Sequence, residues 1–386
     1  MKRIGTALRK AFVFLLGDEK RQRISIPLFS ILISLIVGAV VYLILEVSPW
    51  DALLSYLRGC GLWPKLKYAG SKSIFTDFMS FLDAWTPMIF AALAVAVAAK
   101  AGLFNIGVSG QMLISGFIAT VLVGYSALPA YLAKPIVLVI GLIVGAAAGS
   151  IIGLLKYRFN INEVVSAIML NYIFNYVISF FIYYKYVDPV SRQSKYVTDA
   201  SRLTLQNVAI GDIKTVLPLA FPLAVLMAFA VRFFLSRTKT GFEMKTVGLN
   251  RKAAKFAGIH VGKSIVLAMT LSGALSGLAG VSYYLGYFSS IQPRVLISTG
   301  FDAIAVSLLG NSDPVGILAS SFLITILSKG STYMSSSVGV DQDIASLIIG
   351  IILLFSACGA FIRYRWTKEK ERLDEASGKA ERSERV

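Results

Sequence analysis

The stretch KAGLFNIGVSGQ, from Lys100 to Gln111, lies between two apolar runs of the chain. It contains an asparagine and three glycines, at positions 102, 107 and 110, and these residue types disfavour a regular helix. Irregular backbone at membrane depth is tolerated only where protein buries it or where it lines a water-filled cavity. The stretch therefore predicts a broken helix, which either lines a wet passage or forms a kink that packs a helical bundle.

The composition around this stretch is that of a membrane protein. The chain has 386 residues, of which 56% are hydrophobic, and its mean hydropathy is +0.71. Soluble domains carry about 45–50% apolar residues. Several runs approach the roughly 20 apolar residues that a helix needs to cross a bilayer, and the alternation expected of a membrane barrel is absent. The sequence therefore predicts membrane-spanning helices.

Ten apolar segments are predicted to cross the membrane. They cover residues 26–46, 84–99, 108–125, 135–155, 164–184, 215–236, 264–286, 296–310, 314–329 and 343–362. The fold predicted from them is an all-α polytopic helical bundle of about ten transmembrane helices. The membrane domain would cover residues 26–362, after a basic N-terminal segment (1–25) and before a charged tail (363–386).

The net charge of +17 is explained by where the basic residues lie. They concentrate in residues 1–25, in the loop of residues 237–263 and in the start of the tail, which predicts that these segments, and so both termini, are cytoplasmic. Basic loops beside apolar spans have this topological explanation, so no nucleic-acid partner is expected. The segments predicted to lie outside, 47–83 and 185–214, contain both acidic and basic residues. They either contact a protein or are simply solvated.

Two short segments are opened by breaks, FNIG at residues 104–107 and STGFD at residues 298–302. In transporters, glycine-broken spans in corresponding positions of two halves mark the substrate path. If segments two to five and seven to ten are the halves, the breaks correspond and the halves form an inverted repeat. Gly107, Gly110 and Gly300 are the predicted helix-breaking residues.

Polar side chains near these breaks are the candidates for a translocation pathway. They are Asn105, Ser109 and Gln111 at the first break, Asp302 at the second, and Asn171 on the fifth segment. An acid inside an apolar segment is costly and usually functional, although Asp302 is equally suited to capping a helix that begins near Phe301. Hydrogen bonding between helices is the alternative role for Asn171.

A short amphipathic helix is predicted in the cytoplasmic loop VGLNRKAAKFAGIHVGKS, residues 247–264. Asn250 is placed to cap a helix over Arg251–Ala257, and Gly258 to end it. Its small face consists of Ala253, Ala254 and Ala257, and Gly248 precedes the cap. Since two helical turns do not persist alone in water, the helix must dock, either onto an ATPase subunit or onto the bundle's own inner surface.

Other motifs do not indicate chemistry within this chain. AGIHVGKS, residues 257–264, has Ala257 where a phosphate-binding loop needs glycine, and a short helix rather than a strand is predicted before it. Two cysteines and one histidine do not indicate a metal site. We therefore expect no catalytic residue, no metal and no cofactor bound by this chain.

Three blocks resemble a known family: KAGLFNIGVSGQMLISGF (100–117), VGLNRKAAKFAGIHV (247–261) and STGFDAIAVSLLGNSDPVGILAS (298–320). Together they resemble the permease subunits of bacterial ABC importers of the nucleoside and simple-sugar group, a branched-chain amino acid-like permease family, and most of all its nucleoside type. One departure is visible, because the family usually has an acid where this chain has Ser109. That puts any acid-dependent role at the first break in doubt.

The resemblance implies a permease in the bacterial cytoplasmic membrane, with about ten helices and an inverted repeat. It also implies a second homologous permease, a cytoplasmic ABC ATPase that uses the ATP, and an extracytoplasmic substrate-binding lipoprotein. The loop of residues 237–263 would carry the ATPase-coupling helix. The expected solute is a nucleoside, with riboflavin or a simple sugar as alternatives, and a secondary transporter driven by an ion gradient is the alternative of another class.

Overall fold

The computed structural model describes residues 19–68, 70, 72–211, 213–357 and 368. Most of the predicted basic start and nearly all of the predicted charged tail lie outside these residues. The chain divides into two compact units, Met1–Pro49 with Ser346–Val386, and Trp50–Ala345. In the first unit, Ile348 packs against Gly38.

Every predicted membrane segment overlaps a helix. In chain order the helices are α1 (Glu19–Ile44), α2 (Pro49–Gly59), α3 (Ile74–Lys100), α4 (Val108–Ala119), α5 (Ala130–Phe159), α6 (Glu163–Phe181), α7 (Ala220–Arg237), α8 (Lys239–Leu249), α9 (Arg251–Phe256), α10 (Val261–Ser282), α11 (Thr299–Leu309), α12 (Pro314–Val338) and α13 (Asp343–Ala357). Three helices continue into single π-helical turns, Thr120–Gly124 after α4, Ile182–Tyr186 after α6 and Tyr283–Tyr287 after α10.

Six helices among the described residues are long and apolar enough to cross a bilayer, and the number rises to seven if Leu28–Ile44 and Pro49–Gly59 are one broken span. The protein is therefore an all-α polytopic membrane protein. Helices α4, α11 and the described part of α13 are apolar but shorter. Two of them, α4 and α11, are the segments that the sequence predicts to be interrupted.

Two helices form the centre of the larger unit. The most apolar window of α3 is 83% buried and that of the α10 span 72%, whereas the other four long spans are 28–44% buried. A helix that protein surrounds on all sides needs small side chains to pack closely, and α3 is rich in alanine while α10 is rich in glycine, serine and alanine. These two helices are therefore the core around which the others pack.

Glycines let α5 and α10 touch along their backbones. A methyl group added at Gly145 would lie 2.7 Å from the Cα atom of Gly277, and one at Gly149 would lie 2.8 Å from the Cα atom of Gly273. The four-residue spacing of glycine on α5 predicts this close approach, and the structure confirms it. On α10, Gly280 instead packs against the backbone of Met112 in α4.

A β-hairpin in the segment before α7 was not expected from the sequence. Strand β1 (Thr204–Ile210) pairs antiparallel with β2 (Ile213–Pro218), with an irregular register between Leu205 and Val208. The chain before β1 is fixed by backbone hydrogen bonds from Ser194 to Ile291, from Val197 to Ser289 and from Leu203 to Leu285. This predicted outer loop therefore lies against the end of the α10 span.

Candidate translocation and coupling sites

The stretch quoted first does break the helix. Helix α3 ends at Lys100, residues 103–107 are irregular, and α4 begins at Val108. Asn105 is fully buried and holds the irregular segment through three contacts. Its amide nitrogen donates to Ser272 Oγ (2.8 Å) and to Gln111 Oε1 (3.1 Å), and its amide oxygen accepts from the backbone N–H of Gly107 (2.9 Å). The break is thus tied to α10.

Asn171 fixes the same break from the side of α6. Its oxygen accepts from the backbone N–H of Gly110 (3.0 Å), and its nitrogen donates to the backbone oxygen of Ile106 (3.0 Å). The side chain is 2% exposed. Because the start of a helix leaves backbone N–H groups without intrahelical partners, an asparagine from a neighbouring helix satisfies one of them here. A side chain at position 110 would collide with Asn171.

The second break contacts the first. Helix α11 begins at Thr299, and a Cβ atom at Gly300 would lie 2.6 Å from the backbone nitrogen of Ser109. The hydroxyl of Ser109, which is fully buried, donates to the backbone oxygen of Ile297 (3.0 Å). The structure therefore brings the two predicted breaks together, and Gly300 is the residue that allows their backbones to touch.

Asp302 does not cap its helix. The residue before α11 is Ser298, and the backbone N–H of Asp302 bonds to the oxygen of Ser298 (2.9 Å). The acid lies in the first helical turn and is partly exposed, unlike the buried polar residues of the first break. The prediction that Asp302 caps a helix beginning near Phe301 is wrong, because the helix begins two residues earlier, at Thr299.

The predicted short helix is present in the loop of residues 237–263. Helix α9 follows Asn250, whose side-chain oxygen accepts from the N–H groups of Lys252 (3.0 Å) and Ala253 (3.1 Å). Gly258 has the expected left-handed conformation, with φ of 78°. The helix ends at Phe256, one residue before the predicted end at Ala257. The cap and the terminating glycine therefore mark the position of this element in the sequence to within one residue.

The three alanines of the predicted small face do not share one environment. Ala254 is fully buried inside the chain, whereas Ala253 and Ala257 are exposed. The most exposed large apolar side chains in the loop of residues 237–263 are those of Phe256 (93% exposed) and Leu249 (88%), and the sequence analysis did not identify either of them. A phenylalanine within RKAAKF, an otherwise polar and small stretch, is the signal that could have identified it.

The segment before α9 touches the first break through two glycines. A Cβ atom at Gly102 would lie 3.0 Å from the Cα atom of Gly248, and one at Gly248 would lie 2.9 Å from the backbone nitrogen of Gly102. Arg251 donates to the backbone oxygen of Gly102 (3.3 Å), where φ is 67°. The loop that carries α9 and the irregular segment after α3 are therefore in backbone contact.

The remaining motifs stay without a chemical role. The residues of the near-miss phosphate loop follow helix α9 and run into α10, so no strand precedes them. Within the part of the chain that the structure describes, no group of three or more histidine, cysteine, aspartate or glutamate side chains is arranged to hold a metal ion.

Comparison with known proteins agrees with this architecture. The family model for the branched-chain amino acid transport system / permease component matches residues 78–357. The chain is 34% identical to the guanosine ABC transporter permease protein NupP of Bacillus subtilis, covering 92% of this chain and 99% of that protein. It is 31% identical to the nucleoside ABC transporter permease protein NupB of Lactococcus lactis, covering 92% and 96%.

A more distant relative carries a different name. The glucose ABC transporter permease protein TsgB13 of Haloferax volcanii is 26% identical, covering 88% of each chain. The matched region contains both helix breaks and the loop with α9, which are the features described above. The chain is thus a membrane transport protein rather than an enzyme, and it belongs to the family of branched-chain amino acid transport system permease components.

Proposed function

We propose that this chain is a membrane-spanning permease subunit of an ATP-driven ABC importer of nucleosides. The similarity to NupP and NupB over 92% of the chain carries this proposal. An extracytoplasmic lipoprotein delivers the solute, and a second, homologous permease completes the passage. The ATP is bound and hydrolysed by a separate cytoplasmic subunit.

The surface for the ATPase consists of α9 with Leu249 and Phe256. Large apolar side chains that are about nine-tenths exposed beside basic residues are typical of a protein-binding surface. Burying one phenylalanine side chain contributes roughly 1.5–3 kcal/mol. Ala254 anchors α9 to the permease, while Phe256 and Leu249 insert into the partner.

A displacement of α9 is transmitted to the membrane helices through the contact between Gly248 and Gly102. Residues 103–107 connect this contact to the start of α4, and the start of α4 touches the start of α11 at Ser109 and Gly300. The first and last links are backbone contacts, and the middle link is the irregular segment, which hydrogen bonds from Asn105 and Asn171 hold in place. Closure of the ATPase thereby displaces both breaks together.

The translocation pathway runs past the point where the breaks meet. Asp302 is a partly exposed polar side chain near this point. Asn105, Ser109, Gln111 and Asn171 are buried and hydrogen-bonded, so their part is to hold the irregular backbone on which the pathway is built. The ends of the short helices present partial charge to a passing polar solute.

The finer architecture that we propose is ten crossings related by an inverted repeat. The chain from α3 to α6 and the chain from α10 to α13 have the same order: a long helix, an irregular segment, a short helix and two further helices. With basic residues in both terminal segments, the positive-inside rule places both termini in the cytoplasm.

Reconstitution of the transporter tests this function. The chain, its second permease, the ATPase and the lipoprotein are co-expressed from their own gene neighbourhood and placed in vesicles, and ATP-dependent uptake of labelled guanosine is measured. Uptake that needs a proton or sodium gradient instead of ATP would overturn the proposal in favour of a secondary transporter. ATP-dependent uptake of glucose or riboflavin but not guanosine would overturn the choice of solute.

The coupling surface is tested by Phe256→Ala, which should weaken co-purification of the ATPase by about 10- to 100-fold, as the burial energy above implies. The matched control is Val190→Ala, since Val190 is equally exposed (92%) but lies in the loop after α6. Equal ATPase recovery with both variants would rule out α9 as the docking element.

A further inference from the structure

Two adjoining cavities lie around the end of the α10 span. One has a volume of about 190 Å³ and lies between α3, α12 and the π-helical turn after α10, and the other has a volume of about 370 Å³ and extends beneath Gln193 and Ser290. Both are lined by Tyr283, Phe288 and Ser298. The 22 residues of α10 put these cavities about 33 Å from the loop with α9.

The wall that the cavities share is aromatic. The ring centroids of Tyr283 and Phe288 are 4.9 Å apart, and those of Tyr287 and Phe288 are 4.7 Å apart. Phe288 is 45% exposed, so its ring is available to a partner. We call Tyr283, Tyr287 and Phe288 the aromatic corner. Such a surface suits a flat π-system, because aromatic rings bind one another in offset or edge-to-face arrangements.

A lysine faces the smaller cavity from within the apolar helix α12. The Nζ atom of Lys329 donates to Ser80 Oγ (2.7 Å), lies 3.5 Å from the hydroxyl of Tyr287 and lies 4.8 Å from the centroid of the same ring. It forms no salt bridge within the described part of the chain, although the buried Asp83 is near enough to interact with its charge. An ammonium group has three donors, so this arrangement leaves capacity for an acceptor in the cavity.

An unpaired hydroxyl faces the same cavity. Thr325 is 3% exposed, it lines the smaller cavity, and its Oγ1 atom has no hydrogen-bond partner. A buried polar atom without a partner destabilises the protein, and such atoms are rare in folded structures. Thr325 is one turn of α12 before Lys329, so both point to the same place. Together, Thr325 and Lys329 indicate that the smaller cavity binds a polar molecule.

We propose that the two cavities form a solute subsite that takes the heteroaromatic base of a nucleoside. The base stacks on the aromatic corner, while Lys329 and Thr325 hydrogen-bond to acceptors on its edge, as nucleobases present carbonyl oxygens and ring nitrogens. Aromatic stacking accepts any base, because every base has a π-face. This inference rests on the proposed function, and it makes the permease itself selective for an aromatic solute rather than dependent only on the lipoprotein.

Thr325→Val is the central variant, because valine keeps the shape and removes only the hydroxyl. If Thr325 bonds to the solute, the KM for ATP-dependent uptake of labelled guanosine rises about five- to tenfold, which is the usual effect of one lost hydrogen bond. The matched control is Thr120→Val. Thr120 Oγ1 is also buried and unpaired, but it lines neither cavity. It should leave the KM unchanged.

Tyr283 provides a second comparison. Tyr283→Phe keeps the aromatic ring and should retain uptake. Tyr283→Leu should raise the KM for guanosine uptake by at least tenfold, because the base of the solute can no longer stack on an aromatic ring at this position. Membrane abundance is measured for every variant. If Tyr283→Leu does not accumulate, Thr325→Val and its control decide the result alone.

The outcomes separate this inference from the proposed function. Guanosine uptake by the wild-type complex with an unchanged KM in Thr325→Val overturns the subsite and leaves the proposed function intact. An equal rise in KM for Thr120→Val also overturns it, because the effect would then come from packing. Uptake of glucose and not guanosine by the wild-type complex overturns the proposed function first.

Discussion

A single methyl group at Gly145 should separate α5 and α10, whose backbones touch along a row of glycines. The Cβ atom of Gly145→Ala would lie 2.7 Å from both the Cα atom and the backbone nitrogen of Gly277, whereas carbon atoms in good contact are about 3.5–4.0 Å apart. No side chain of Gly277 can rotate away, since it has none. The α5 and α10 backbones must therefore move apart by roughly an ångström.

The cost follows from that displacement. A gap of 0.5–1 Å removes about a quarter to a half of the dispersion energy of the atoms that line it, and overpacking a well-packed interior typically costs about 1–3 kcal/mol. Replacing glycine by alanine within a helix by itself stabilises the helix by roughly 0.5–1 kcal/mol. We expect a net destabilisation of about 1–2 kcal/mol for Gly145→Ala.

The assay is thermal unfolding of the purified transporter complex, followed by tryptophan fluorescence. The control is Gly350→Ala in α13, where a Cβ atom would meet no other atom within 4 Å. The control should match or exceed the wild-type midpoint, and Gly145→Ala should unfold several degrees lower. Equal midpoints for Gly145→Ala and the control would refute the argument that glycine is required for the contact between α5 and α10.

Three further substitutions test the breaks and the loop. Asn250→Ala removes the cap of α9 and should destabilise this helix by about 0.5–2 kcal/mol, so less ATPase should co-purify, whereas Asn250→Asp keeps a capping oxygen and should retain it. Equal ATPase recovery with both variants would show that the cap is not needed for docking. Asn105→Leu leaves the Gln111 side chain and the backbone N–H of Gly107 without their buried partner and should lower the amount of folded protein in the membrane. Full abundance with lost uptake would instead assign Asn105 to solute contact. Gly300→Ala collides with the backbone of Ser109 and should slow guanosine uptake at normal abundance, and unchanged uptake would show that the breaks can separate without consequence.

The sequence predicts the local elements of this protein well, because their causes are local. The glycines and asparagine of the first break, the asparagine that caps α9 and the glycine that ends it each act within a few residues of their own position. The membrane segments follow from apolar length in the same way. The breaks, the cap and the terminating glycine agree with the described residues. Each predicted membrane segment overlaps a helix there, but only six or seven of these helices are long and apolar enough to cross a bilayer.

Other features depend on partners distant in the chain, and no local pattern indicates them. Asn105 is polar and lies beside a break, which predicts a wet passage, but its partner Ser272 is 167 residues away and satisfies it inside the protein. Phe256 is exposed because α9 packs against the rest of the chain through Ala254, on another side of the helix. The hairpin of β1 and β2 arises from a mixed polar segment without the alternation that marks a strand.

The contact between Gly102 and Gly248 has a consequence for how force travels through the chain. Two positions without side chains meet main chain to main chain, so there is no rotamer that could absorb a push from the loop. In the coupling route proposed above, such a rigid contact would make the displacement of the membrane segment nearly equal to that of the loop. A side chain added at either glycine would collide with the other backbone, so in the proposed route it would displace the loop from the first break.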